Sequence, residues 1–177
     1  MNMSILKEKL LPFTDSVKNS IDSRNYYAAL TVCMTLPDIC SKLESPEEKN
    51  TGKRYSGWFE EYVSHKYKNR VGLDKDEYVF LSGSDFYALR CSFLHQGETE
   101  IIKQRAREVL ENFVFLEPRN DWHIHNNKIN DKLQLQIDVF CKDIIEGVNH
   151  WILNNENGAA VNERSKNLIS IQTDINF

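Results

Sequence analysis

Two side chains suited to meeting an anion and handling a proton stand close together in the segment YALRCSFLHQG: Arg90 and His95, on an otherwise apolar stretch closed by Gly97. An arginine is a permanent cation for an anionic oxygen, and a histidine is the side chain best matched to proton transfer near neutral pH. Five residues of ideal helix advance about 500°, which leaves the two side chains roughly 140° apart and about 7.5 Å along the axis. They meet only through the reach of the arginine and a departure from ideal geometry near Gly97. From the residues alone two roles stay open. The pair faces a cleft, or it is structural, with Arg90 pairing an acid and His95 capping carbonyls, because either charge buried alone is costly.

A second constellation is cationic. Lys49, Lys53, Arg54, Lys66, Lys68 and Arg70 stand against Glu60 and Glu61, with Tyr55, Trp58 and Tyr67 interleaved. Such a strip suits a nucleic-acid strand, the cations tracking phosphates and the aromatics stacking on bases. The competing reading is a solvated helix face with Trp58 and Phe59 in the core. A third pattern, His123 and His125 around Ile124, places two imidazoles on one face of an extended segment, as two metal ligands sometimes are. No third ligand stands nearby in sequence, and only folding could bring up His95 or Asp121. His65 and His150 read as surface groups on helices.

The elements that must position these residues follow from periodicity. Apolar residues at three- and four-residue steps predict helices over 4–22, 26–44, 53–69, 84–96 and 138–153, with Ser4 as the first N-cap and bends at Pro12 and Pro37. The first two, joined by a few residues, should pack antiparallel. Residues 72–83 read as irregular, and 100–111 as a short helix or loop. Short apolar runs near 112–117, 122–125 and 132–137, separated by Asn126, Asn127 and Asp131, predict a small antiparallel β-meander. The fold class is therefore mainly α (α+β): a helical bundle with a small sheet before the last long helix, one domain over 1–154 and a polar C-terminal tail over 155–177.

Composition agrees. A chain of 177 residues with 41% hydrophobic and 27% charged residues and only 7 Gly and 4 Pro excludes collagen-like, low-complexity and wholly disordered classes. A formal charge of -4 argues against indiscriminate DNA coating and requires any nucleic-acid contact to use a local patch. Lys7, Glu8 and Lys9 interrupt the N-terminal apolar residues, and no run reaches the roughly 18 apolar residues of a membrane span, so a cytoplasmic protein with no membrane partner is expected. Cys33, Cys40, Cys91 and Cys141 lack metal or redox spacing and read as reduced core residues.

The R-x4-H motif of Arg90 and His95 near the end of a helix in a small bundle resembles the signature of the HEPN superfamily, many of whose members are metal-independent ribonucleases. The wider strings FLSGSDFYALRCSFLHQG and GKRYSGWFEEYV resemble small bacterial HEPN-like proteins. The resemblance implies a HEPN-like bundle and an endoribonuclease of the defence or toxin kind that needs no cofactor. Arg90 would stabilise the phosphate and His95 act as base or acid, with two copies pairing as a homodimer around one cleft. RNA would be the substrate, and an antitoxin or other regulatory protein the further partner. The position after the motif arginine, often Asn, Asp or His in active members, is Cys91 here. Cys91 and Ser92 are the candidates to support the pair, and Asp85 either pairs Arg90 or caps the helix. Lys53, Arg54, Lys66, Lys68 and Arg70 would bind the RNA. The alternative is a catalytically inactive HEPN-like module that binds a nucleotide, RNA or a protein partner.

Overall fold

A computed structural model describes residues 3–71, 76–94, 112–119 and 123–171 of the chain. It is mainly helical, with two small sheets. Helix α1 (Ile5–Asp22) opens at Ser4, whose hydroxyl accepts from the Lys7 N–H, and α2 (Tyr26–Glu44) opens at Asn25, whose side chain accepts from the Ala28 N–H. Between them Arg24 takes φ 59°, the left-handed conformation that closes a helix and reverses the chain. The two helices pack as the pair expected, and Pro12 and Pro37 lie within them.

Helix α3 (Thr51–Tyr62) is shorter than the 53–69 expected. After Val63 the chain tightens into a 3-10 turn at Ser64–Tyr67 and then enters a hairpin of β1 (Lys68–Val71) and β2 (Asp76–Val79). The apolar spacing from Phe59 through Val63 to Tyr67 survives this change, because Tyr67 still turns inward and meets Phe59 at 5.6 Å between ring centroids. Spacing alone therefore could not reveal where the α-helix stops. Within the segment 72–83 read as irregular, Asp76–Val79 is thus strand. Helix α4 (Gly83–Leu94) follows, starting one residue from the position expected. The segment 100–111 lies outside the described residues.

The second sheet is not the antiparallel meander expected. Its order is β3 (Phe113–Leu116), β5 (Lys132–Gln136), β4 (Asn127–Ile129), with β5 central, parallel to β3 and antiparallel to β4. Asn130 and Asp131 both have positive φ, 50° and 63°, and form the two-residue turn that joins β4 to β5. That geometry matches the right-handed strand twist and fixes the register, so the middle strand begins after Asn126 and not at 122–125. Strand β5 runs directly into α5 (Ile137–Asn155). The polar stretch beyond it contains a further helix, α6 (Ala159–Ser165), docked on α1 and α2: Asn162 Oδ1 accepts from the Leu6 N–H at 3.1 Å and Arg164 Nε donates to the Leu43 carbonyl at 2.6 Å.

Phe86 of α4 is the hub of the core. Its ring meets Phe59 at 4.8 Å, Tyr55 at 5.1 Å and Phe140 at 5.6 Å, and Phe140 in turn meets Phe115 of β3. One aromatic chain thus locks α3, α4, α5 and the mixed sheet together, and burying each such ring is worth about 2 kcal/mol or more. Cys33, Cys40 and Cys141 are buried in this core as free thiols, with Cys91 half-buried. Among the described residues no helix is long and apolar enough to cross a membrane.

Candidate functional site

Arg90 lies in the third turn of α4, whose start is built by a reciprocal cap. The Ser82 hydroxyl accepts from the Asp85 N–H, while Asp85 Oδ2 accepts from the Ser82 N–H at 3.1 Å and from its hydroxyl at 2.6 Å. Asp85, inside the first turn, is therefore the reciprocal partner of the N-cap residue and not the N-cap itself, and it does not pair with Arg90. Ser82 stands at the N-cap. Glu60 of α3 adds a second anion at this helix end, accepting from the Gly83 N–H at 2.6 Å. Burial would raise the Glu60 carboxyl, but the bonds from Gly83, Lys68 and Ser64 outweigh it and hold it below the usual carboxylate range.

The partner of Arg90 is Asp38, one residue after Pro37 in α2, at 3.1 Å from Nη2. Pro37 has no N–H to offer the Cys33 carbonyl, and the neighbouring Met34 carbonyl takes the Tyr55 hydroxyl at 2.9 Å. Burial pushes the Tyr55 hydroxyl well above the usual phenol range, so it stays a neutral donor that pins α3 beside Asp38. The same anchoring brings up Arg54, whose Nη2 lies 3.9 Å from the other Asp38 oxygen. Arg54 also donates to the Glu48 carbonyl and to Thr51 Oγ1.

Two guanidinium groups therefore share one carboxylate, an excess of one positive charge at the junction of α2, α3 and α4. The side chains of Arg54 and Arg90 are 7% and 14% exposed, and Asp38 is 29% exposed and opens the cluster to solvent. Both Nε–H groups, of Arg54 and of Arg90, are buried and lack an acceptor among the described residues. A tetrahedral oxyanion carries acceptors of the kind such a cluster lacks.

Around Arg90, Tyr87 is half-buried. Burial, then the neighbouring Cys91 thiol, raises its hydroxyl above the usual phenol range. Ser92 faces the core and donates to the Ala88 carbonyl at 2.7 Å, so it cannot support a cleft. His95 and Asp121 lie outside the described residues.

The cationic strip is not a strip. Lys53 pairs with Glu48 at 2.7 Å, Lys68 with Glu60 at 3.0 Å, and Lys66 with Asp143 at 2.8 Å and with Glu146. Arg54 turns inward to Asp38, and Arg70 sits exposed on β1 opposite Glu77. Tyr55, Trp58 and Tyr67 are buried, and their rings are not offered to a base. What the sequence presents as one interleaved surface is split by the 3-10 turn, and its aromatics belong to the core.

His125 enters a separate buried network. Its Nε2 lies 3.5 Å from Asp143 Oδ2 without a hydrogen bond between them, that oxygen accepts from the Tyr67 hydroxyl at 3.2 Å, and the His125 and Tyr67 rings meet edge to face. Burial would raise Asp143, but its interactions with the neighbouring His125 and with Lys66, which donates to Oδ1 at 2.8 Å, prevail and hold it below the usual carboxylate range. His123 is exposed, with its ring centroid 6.3 Å from that of His125. Among the described residues no group of three His, Cys, Asp or Glu side chains could hold a metal ion.

Sequence reasoning missed Asp38 and the pairing of Arg54 with Arg90. Asp38 was signalled only by following the helix-bending Pro37. No family model, no curated protein and no solved structure matches the chain, so the functional argument rests on these residues.

Proposed function

We propose that the chain is a HEPN-like, metal-independent endoribonuclease in which Arg90, braced by Asp38 with Arg54 beside it, binds the scissile phosphate. The observation that carries this reading is the pair of arginines on one carboxylate, with the Arg90 Nε–H buried and unpaired. His95 follows Leu94 of α4 in sequence and supplies the proton chemistry. In a two-fold homodimer two such histidines divide the work. One takes the ribose 2′-OH proton as that oxygen attacks phosphorus, and the other gives a proton to the departing 5′-oxygen. The Arg90 and Arg54 cations offset the charge that develops on the phosphorus oxygens. The products are a 2′,3′-cyclic phosphate and a 5′-hydroxyl.

A second reading, a HEPN-like module that binds a nucleotide, RNA or a protein partner without cutting, draws on a different observation. Four of the five cations assigned to RNA are tied to acids, and the aromatics between them are buried. Incubating purified protein with RNA in EDTA separates the two. Fragments with cyclic-phosphate ends support the nuclease, whereas RNA or nucleotide binding with no cleavage across varied sequences favours the module.

A further inference from the structure

A cleft of about 380 Å³ lies between the C-terminal end of α2 and the outer face of α3, with Arg54 in its wall. Its size is that of small-molecule sites. Gly57 forms part of its wall in the middle of α3, where a glycine is less favourable than alanine. Folding does not require it: a Cβ built at Gly57 meets nothing within 4 Å. What a side chain there would occupy is the cleft.

The polar groups of the wall are of two kinds. Arg54 and Trp58 each contribute a buried N–H, Nε and Nε1, that finds no acceptor. Trp58 is 3% exposed, so water does not readily satisfy it. The same wall carries Glu44 and Glu61. Glu44 accepts the neutral indole N–H of Trp151 at 3.0 Å, and neither carboxylate has a cationic partner among the described residues. Glu48 is already neutralised by Lys53.

A purely anionic ligand would be repelled by Glu44 and Glu61, and a purely cationic one would leave both N–H groups unpaired. The geometry points to a small zwitterion of the amino-acid type, its carboxylate on Arg54 and Trp58 and its ammonium on Glu44 and Glu61. This inference shares Arg54 with the nuclease reading but does not rest on it, and it is read without RNA.

Calorimetric titration of the full chain with the standard free L-amino acids tests it, followed by the N-acetyl and carboxamide forms of whichever binds. At least one free amino acid should bind at millimolar concentration or below, and each blocked form about tenfold more weakly, the loss of one charge-assisted contact. Gly57→Leu should abolish the binding. Glu61→Gln, on an exposed surface and harmless to folding, should weaken it about tenfold. No binding by any free amino acid, equal binding of the blocked forms, or full binding by Glu61→Gln overturns the proposal.

Discussion

The Arg90 guanidinium of α4 donates to the Asp38 carboxylate of α2 at 3.1 Å, across 52 residues of chain, while Arg54 lies 3.9 Å from the other oxygen of the same carboxylate. Removing that carboxylate leaves two largely buried cations without a counter-charge. Asp38→Ala should therefore lower stability by about 2 kcal/mol, less than the loss at a fully buried pair because Asp38 is partly exposed. If the cluster accepts a phosphate, inorganic phosphate should restore much of the loss, raising the melting temperature of the variant more than that of the wild type. Equal responses to phosphate would deny the cluster a role in anion binding.

Asp143 anchors the second polar network, and its replacement has a pH signature. Its carboxyl lies below the ordinary value in the folded protein, so between the folded and unfolded values the unfolded chain binds more protons. The stabilisation is complete above the unfolded value, near pH 4, and is lost as the pH falls through the folded one. Asp143→Ala should cost about 3 kcal/mol at neutral pH. The difference from wild type in urea melts should shrink as the pH drops below about 4. A difference independent of pH would contradict the assignment.

Two glycines should respond in opposite directions. Gly57→Ala adds a methyl to open space in a helix interior and should stabilise the protein by about 0.5–1 kcal/mol. Gly83→Ala would drive its Cβ into the Ser56 carbonyl oxygen where α4 crosses α3, and should cost about 2 kcal/mol. Chemical denaturation of the two variants checks both signs.

The reciprocal cap at the start of α4 should be worth about 1 kcal/mol. Ser82→Ala and Asp85→Ala each break the 2.6 Å bond between the two side chains, so their effects should not add in the double variant. Additive losses would mean that the two residues act separately.

What the sequence made legible was local. The stripes Leu6, Leu10, Val17 and Leu30, Cys33, Leu36 specify α1 and α2 because each repeats along one helix face, and all six residues are buried. The sheet was harder. An Asn-Asp pair at 130–131 sets a tight turn that moves the middle strand, and the parallel placement of β3 beside β5 depends on docking against Phe140, which no short-range pattern encodes. Helix α6 was hidden by its polarity, since it docks through Val161 and through hydrogen bonds that Asn162 accepts from Leu6 and Arg164 donates to Leu43. At the candidate site Arg90 stood out by type and spacing. Asp38 did not, because α2 and α4 are brought together through Tyr55 of α3, which bonds to Met34 of α2 and meets Phe86 of α4, and not by any motif.

The most direct measurement is cleavage of RNA in EDTA by the wild type beside Arg90→Ala and His95→Ala, with folding of each variant verified and product ends identified by mass. The account predicts 2′,3′-cyclic phosphate and 5′-hydroxyl ends from the wild type, and a loss of about a hundredfold or more in each variant. Cleavage that survives both substitutions, or a wild type that cuts no RNA, would contradict it.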